Sequence, residues 1–568
     1  MTGGSAMRWG PEPQADGTTR FRLWAPDFDG DAHMEVEDGP SALLSDDGGG
    51  WRSAVLPVGP GARYRFRMGD QAVPDPASRR QAGGVNGWSV VADTHHDWRH
   101  PDWRGRPWHE MVILEVHAGV LDGFAGIADR LPDIAAAGIT AIELMPVGAF
   151  GGTRGWGYDG VLPYAVQEDY GTPAELKALI DTAHGLGLSV LLDVVYNHFG
   201  PDGNYLGVYA DSFFHPEVHT PWGGAVAVDK EPVARFFIDN ALMWLDEYRF
   251  DGLRFDAVHA IDNPAFLDRM AADIRESLPD RHVHLVLENE SNDAARLRAD
   301  GYDAQWNDDF HNVLHVLLTG ETSAYYGDFA DRPAERLARC LAEGFIYQGE
   351  GSPNHDGRPR GTKSAHLPPT AFVAFLQNHD QVGNRAMGDR LTRLADPAKL
   401  RAATALLLLC PQIPLLFMGE ELGSETPFLF FTDFHDELAD AVRNGRRREF
   451  AKFVAFADEA AREAIPDPNA PATFEASRPE PGPDAAAWRA LYAELLALRR
   501  DRIVPHLPGA TAIGAEARGE AAVTARWRLG DGSTLSVAID LGDTPAALPD
   551  IAEPLFTDGS RFVAWIAR

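Results

Sequence analysis

Up to about residue 105, apolar and polar positions alternate over short runs broken by Gly and Pro. Phe21-Arg22-Leu23-Trp24-Ala25-Pro26 and Tyr64-Arg65-Phe66-Arg67 carry the two-residue period of strands with one buried face, which predicts a small β-sandwich. From about residue 110 the pattern changes to continuous apolar runs separated by helical stretches, as in parallel strands buried on both faces. Seven runs are readable, at 112–114, 141–144, 189–195, 253–256, 284–288, 372–377 and 414–418; an eighth, Ala304-Gln305-Trp306, is weak. The fold class expected is therefore α/β, a (β/α)8 TIM barrel. It is longer than the roughly 250 residues of a plain barrel, which implies loop insertions, one of them at 200–235.

One barrel helix is well marked. Thr172 is its N-cap, Pro173 its first helical position and Glu175 the partner of a capping box, with Leu176, Leu179 and Ile180 on one face. Residues 464–484 read as an irregular wrap. The tail alternates again through Val523 to Leu529, turns at Gly530-Asp531-Gly532 and continues through Leu535 to Ile539, a second small β domain. The division expected is 1–105 for an N-terminal β-sandwich, 106–495 for the barrel and 496–568 for a C-terminal β-sandwich.

The formal net charge of −33 changes the choice of partner, because such a chain repels phosphate backbones and anionic headgroups. A neutral ligand is expected, with no nucleic acid and no membrane. Two cysteines, Cys340 and Cys410, make neither a disulfide framework nor a zinc cluster, and they suit a reducing compartment. The start, MTGGSAMRWGPEP, has no basic and apolar leader pattern, and no apolar run approaches the roughly 20 residues of a membrane span. These features predict a cytoplasmic protein. His95, His96 and His100 sit in a polar connection without a ligand pattern and read as a solvated linker, and Arg446-Arg447-Arg448 reads as a solvated helix face. Gly155-Trp156-Gly157-Tyr158-Asp159-Gly160 matches G-x-G-x-x-G, but Val161-Leu162-Pro163 follows instead of a helix, so no dinucleotide site is inferred.

Chemistry gathers where apolar runs end. In Gly252 to Asp256 the strand period puts Arg254 and Asp256 on one face, and the cation keeps that carboxylate available as a nucleophile. The next strand delivers Glu288, with Glu290 as a competing acid two positions on. A barrel brings successive strand ends to one mouth, where carboxyls roughly 5–5.5 Å apart mean a retaining glycosidase. Gln377-Asn378-His379-Asp380 supplies groups to grip sugar hydroxyls, and Asp380 is placed to steady positive charge at a ring carbon. Asp193-Val194-Val195-Tyr196-Asn197-His198 closes another strand: His198 is the member expected to touch ligand, Asp193 and Asn197 to brace loops. Among Trp156, Tyr158, Trp222, Trp306 and Phe310, Tyr158 is the expected sugar-stacking ring.

DVVYNH (193–198), GLRFDAVH (252–259), LENE (287–290) and QNHD (377–380) resemble, in order, the four signature segments of the α-amylase family of glycoside hydrolases. The resemblance implies Asp256 as nucleophile, Glu288 as acid/base and Asp380 as transition-state stabiliser, with no cofactor and no metal. It also implies substrate contacts at Tyr158, Asp159, His198, Arg254, His259, Asp309, His311, His379 and Gln381. Further segments are similar to the branch of that family that releases trehalose from maltooligosyl trehalose by cutting the adjoining α-1,4 bond. They include GWGYDGVLPYAVQEDYGTP (155–173), HTPWG (219–223), QWNDDFHN (305–312), LLFMGEE (415–421) and RRREF (446–450). FRLWAP (21–26) and PDPASR (74–79) resemble that branch's carbohydrate-module-like N-terminal sandwich. The substrate is then maltooligosyl trehalose, trehalose a product, and a maltooligosyltrehalose synthase the functional partner upstream. An α-glucan branching or debranching enzyme is the alternative; a scaffold without chemistry fits poorly with three intact carboxylates.

Overall fold

The computed structural model describes residues 9–220, 223–451, 453–456, 458–545 and 547–568. Two antiparallel sheets come first, one ordered Glu12–Pro13, Thr19–Trp24, Trp51–Leu56, Ser45–Gly48. The other runs Ser41–Leu43, Ala32–Val36, Arg63–Met68, Trp88–Val90, Gln81–Ala82. Their alternating apolar residues meet, with the rings of Phe21 and Tyr64 4.7 Å apart. Within PDPASR, burial pushes the Asp75 carboxyl up to about 6, and it accepts the Tyr64 hydroxyl at 2.6 Å, a structural use of that motif.

The connection that follows is tied down where a solvated linker was expected. Asp181 accepts the backbone N–H groups of Arg99 and His100 at 3.0 and 3.1 Å, and Trp103 donates to Asp251 at 2.8 Å. His95 alone of the three histidines is exposed, beside Asp97.

Eight parallel strands then close into a barrel: β1 (Ile113–Val116), β2 (Ala141–Leu144), β3 (Ser189–Val194), β4 (Gly252–Phe255), β5 (His284–Leu287), β6 (Ala304–Trp306), β7 (Phe372–Phe375) and β8 (Ile413–Phe417). The seven readable runs are all strands. The weak eighth is β6, only three residues long. The longer helices are α1 (Gly123–Ala136), α2 (Pro173–Gly185), α3 (Glu231–Leu242), α4 (Pro264–Ser277), α5 (Asp308–Thr319), α6 (Pro333–Glu343), α7 (Pro397–Leu409), α8 (Asp436–Phe450) and α9 (Ala485–Leu498). Between β5 and β6 only a turn at Ala294–Arg296 intervenes, so that unit lacks its helix. The capping box of α2 is formed in both directions, Glu175 N–H to Thr172 Oγ1 at 3.2 Å and Thr172 N–H to Glu175 Oε2 at 2.7 Å. The 200–235 insertion holds a hairpin of Phe214–Thr220 with Gly223–Val226.

The tail departs from the expected sandwich. Among the described residues it is one five-stranded sheet, ordered Thr511–Ala517, Ala522–Arg528, Thr534–Asp540, Phe562–Ala567, Phe556–Asp558. Its second layer is helical, since Trp527 is fully buried and donates to the Leu341 carbonyl of α6 at 3.1 Å. The expected boundary at 495/496 falls inside α9. Arg446 also departs from a solvated face: it is 9% exposed, lies against Phe430 and Phe450, and donates to the carbonyls of Gly383 and Arg385. No helix of the described residues is long and apolar enough to cross a membrane.

Candidate active site

Strand parity builds the site. Ile113, Ala141, Leu191, Val286, Ala304, Val373 and Ile413 form the apolar plug inside the barrel. Two residues further along, the same inward face carries Glu115 on β1, Glu143 on β2, Asp193 on β3 and Glu288 beyond β5, whereas on β6, β7 and β8 it stays apolar with Trp306, Phe375 and Leu415. On β4, Gly252 is followed by Arg254 and then, past the strand end, Asp256. On the β1 to β5 side an apolar floor thus changes within one step to a layer of charges at the C-terminal mouth.

Arg254 is the hub of that layer. It is fully buried, with its guanidinium 4.1 Å over the Trp306 ring. Nη1 donates to both oxygens of Asp193 at 2.9 and 2.8 Å and to Asp256 Oδ1 at 2.8 Å, while Nη2 lies 3.0 Å from Glu288 Oε2. Asp256 Oδ2 accepts Asn197 Nδ2 at 2.7 Å, so each oxygen of this carboxylate has a donor. Ala257, the next residue, takes the left-handed conformation at φ 41°, and its N–H donates to Glu288 Oε2 at 2.7 Å. That strained turn holds the second acid against the loop of the first.

The two acids differ in environment. Burial, reinforced by Asp256, Asp380 and Asp308, outweighs Arg254 and holds the Glu288 carboxyl well above the usual carboxylate range. A carboxyl held up in this way is suited to donate a proton, and Asp256 stands at the end of the neighbouring strand. Burial also raises Asp193, to about 6, against the pull of Arg254.

Asp380 lies in the first turn after β7, 37% exposed at its side chain, with Oδ1 3.1 Å from Asn384 Nδ2 and 3.4 Å from His379 Nε2. His379 stacks on Tyr158 with ring centroids 5.0 Å apart. Although burial alone would lower it, Asp380 and Glu115 hold the imidazole at about 9, so it is a cation at neutral pH. Asp256 and Asp380 both act on the Glu288 carboxyl, so the three acids share one electrostatic neighbourhood.

The family model for the alpha amylase catalytic domain matches residues 102–217, and a model for a domain of unknown function matches residues 510–561. A malto-oligosyltrehalose trehalohydrolase of Deinococcus radiodurans is 41% identical over 88% of this chain and 84% of its own length. One of Rhizobium sp. (strain M-11) is 39% identical over 95% and 94%. The chain belongs to the malto-oligosyltrehalose trehalohydrolase family. A Salmonella typhimurium protein described as an alpha amylase, solved at 1.4 Å resolution, superposes on this trehalohydrolase-family chain with a TM-score of 0.93 at 45% identity. The match covers 99% of this chain and all of the other.

The residues expected from the sequence of this trehalohydrolase-family chain divide into groups. Tyr158 is at the centre, its ring on His379 and its hydroxyl donating to Asp193 at 2.6 Å. Asp159 follows it, with a carboxyl raised to about 6 by burial. His198 is packed beneath, Nε2 2.9 Å from the Tyr158 carbonyl and Nδ1 against Asn197 Oδ1. Gln381 reaches Asp308 Oδ1 at 3.2 Å, beside the Glu288 pocket. His259 and Glu290 form a separate pair at the rim, 3.7 Å apart, and Glu290 is 59% exposed and away from Arg254.

The structure does not bring Asp309 and His311 to the acids. Asp309 is fully buried, accepts Asn292 Nδ2 at 3.0 Å and the Ile346 N–H at 2.7 Å, and pairs with Arg360. His311, buried, lies against the Leu376 carbonyl and the Tyr326 hydroxyl, its imidazole lowered to about 3 by burial. Both brace the wall behind the site. Trp306 and Phe310 are core, and Trp156 packs on Phe428; Trp222 lies outside the described residues.

Three participants escaped the sequence reading. Asn197 grips Asp256 instead of only bracing a loop, Asp308 loads the Glu288 pocket, and Glu115 holds His379. A charge inside an apolar strand run, as in Ile113-Leu114-Glu115-Val116, was the available signal for the last.

Proposed function

We propose that this chain hydrolyses the α-1,4-glucosidic bond next to the terminal trehalose unit of a maltooligosyl trehalose, releasing trehalose and a maltooligosaccharide with net retention. The observation that carries the chemistry is one buried guanidinium, Arg254, bridging Asp256 and Glu288; relatedness to enzymes named malto-oligosyltrehalose trehalohydrolase supports the substrate.

In the first step Asp256 attacks the anomeric carbon of the glucosyl unit before trehalose, forming a glycosyl ester as the bond to the trehalose O4 breaks. Glu288 gives that oxygen its proton, and Asp380 faces the developing oxocarbenium charge. In the second step Glu288, now a carboxylate, takes a proton from water, the water oxygen attacks the same carbon, and Asp256 leaves as a free carboxylate. Arg254 and Asn197 hold the nucleophile throughout. A synthase that makes the maltooligosyl trehalose belongs upstream in the same proposal. So does a cytoplasmic setting, which suits Cys340 and Cys410, both buried and unbridged.

Incubating the protein with maltotriosyl trehalose should yield trehalose and maltotriose, and Asp256→Asn should remove that activity while leaving the unfolding transition in place. Transfer to amylose chains without free trehalose would instead overturn the reading in favour of a branching enzyme.

A further inference from the structure

The first two barrel strands carry a carboxyl pair that the chemistry above does not use. Glu115 and Glu143 are register partners on β1 and β2, both 1% exposed, and both lie on the inward face beneath the three acids. Their surroundings differ. Glu115 makes a two-point grip on residue 379: Oε2 accepts its backbone N–H at 2.8 Å, and Oε1 lies 2.5 Å from its ring Nδ1. Glu143 has no hydrogen-bond partner at either oxygen, and burial, with Asp193 and Glu115 alongside, holds it well above the usual carboxylate range.

We propose that Glu115 is a positioning residue for the hydrolysis: by pairing with the ring and the backbone N–H of His379 together, it fixes where that imidazole and Asp380 stand. The inference rests on the proposed glycosidase reading. Asn378 caps the short helix His379–Gly383, and its side chain accepts the Gln381 N–H at 2.9 Å, so residues 379 and 380 open one rigid turn. A carboxylate that holds both the ring and the backbone of the first residue of this turn sets the direction of the second. The imidazole's other nitrogen faces Asp380 at 3.4 Å, which completes a chain Glu115, His379, Asp380 from barrel interior to cleft.

The charges facing His379 from other elements fit this role. Arg254 on β4 and His117 beyond β1 are the opposing groups; His117 is held neutral, its imidazole lowered to about 4 by burial. Asp193 on β3 is bound to Arg254, Tyr158 contributes only its ring face, and burial pushes the Glu143 carboxyl up, away from the charged form. The carboxylates left to hold the cation are Glu115 and Asp380.

The test combines a titration with a kinetic cycle. In protein labelled with 15N-histidine, the His379 ring signals are assigned by their loss in His379→Gln and followed with pH. The wild type is expected to stay protonated well above neutrality, and Glu115→Gln to titrate at least about one pH unit lower. Kinetically, Glu115→Gln should lower kcat on maltotriosyl trehalose by at least about tenfold, and the double variant with His379→Gln should be no slower than His379→Gln alone, because Glu115 acts only through that ring.

An unchanged titration in Glu115→Gln, or single effects that multiply in the double variant, would overturn the proposal. Should Glu115→Gln not fold, the wild-type titration still decides: a His379 that is neutral at pH 7 overturns it. If the wild type does not cleave maltotriosyl trehalose, the substrate reading fails, whereas the titration, which needs no substrate, continues to judge Glu115.

Discussion

Arg254→Met is the most informative single perturbation, because the new side chain keeps an apolar contact with Trp306 while removing the guanidinium that sits among five inward-facing carboxyl groups, Glu115, Glu143, Asp193, Asp256 and Glu288. Wild-type Arg254 touches Asp193 twice and Asp256 once at 2.8–2.9 Å, with Glu288 at 3.0 Å. Removing one partner of a buried ion pair costs about 3–5 kcal/mol, mostly as uncompensated charge. Felt at Asp256 in the transition state, the same energy is a loss of about 10²- to 10⁴-fold in kcat/KM at 1.36 kcal/mol per decade. Arg254→Lys should not rescue it, since one ammonium cannot bridge two carboxylates as a planar fork does.

The stability loss should depend on pH in a defined direction. Burial already raises the Asp193 carboxyl to about 6 against the pull of Arg254, and without the cation its folded-state proton affinity rises further above that of the unfolded chain. Such groups contribute stability that is present below the unfolded value and lost as pH rises through the folded one. Urea unfolding of Arg254→Met should therefore approach the wild type near about pH 5 and fall furthest below it near about pH 8. A variant with wild-type kcat/KM, or with a deficit independent of pH, would refute the hub role of Arg254.

Two further outcomes follow from neighbouring contacts. Asn197→Ala removes the donor to Asp256 Oδ2, and a hydrogen bond to a charged group is worth about 1.5–3 kcal/mol, so kcat should fall about 10- to 100-fold with little change in KM. Asp308→Asn removes one of the like charges that raise Glu288, so the acid loses its proton at lower pH; the alkaline limb of the kcat/KM profile should move down, and an unmoved limb would contradict the assignment of Glu288 as the acid.

How much of this was legible beforehand depended on the range of the interactions involved. Strand ends were readable because an apolar run that stops at a charge is a local pattern, and 254, 256, 288 and 380 all mark such stops. The helix start at Thr172 was readable for the same reason, since all its partners lie within three residues. The β6 strand was weak because three residues scarcely express a period. Arg446 looked solvated because its partners, the carbonyls of Gly383 and Arg385, are some sixty positions away. Asp309 and His311 were drawn toward the substrate by resemblance, yet their hydrogen bonds to Ile346 and Leu376 turn them into the wall. Glu115 and Glu143 needed the barrel's register, which places them at one level, before their charge inside apolar strands had a meaning.

The central claim is that Asp256 forms and then releases a glycosyl ester under the control of Glu288. Its most direct test is the anomeric form of maltotriose in the first seconds of maltotriosyl trehalose cleavage, read by proton NMR before mutarotation. The account predicts the α-anomer; β-maltotriose appearing first would contradict it.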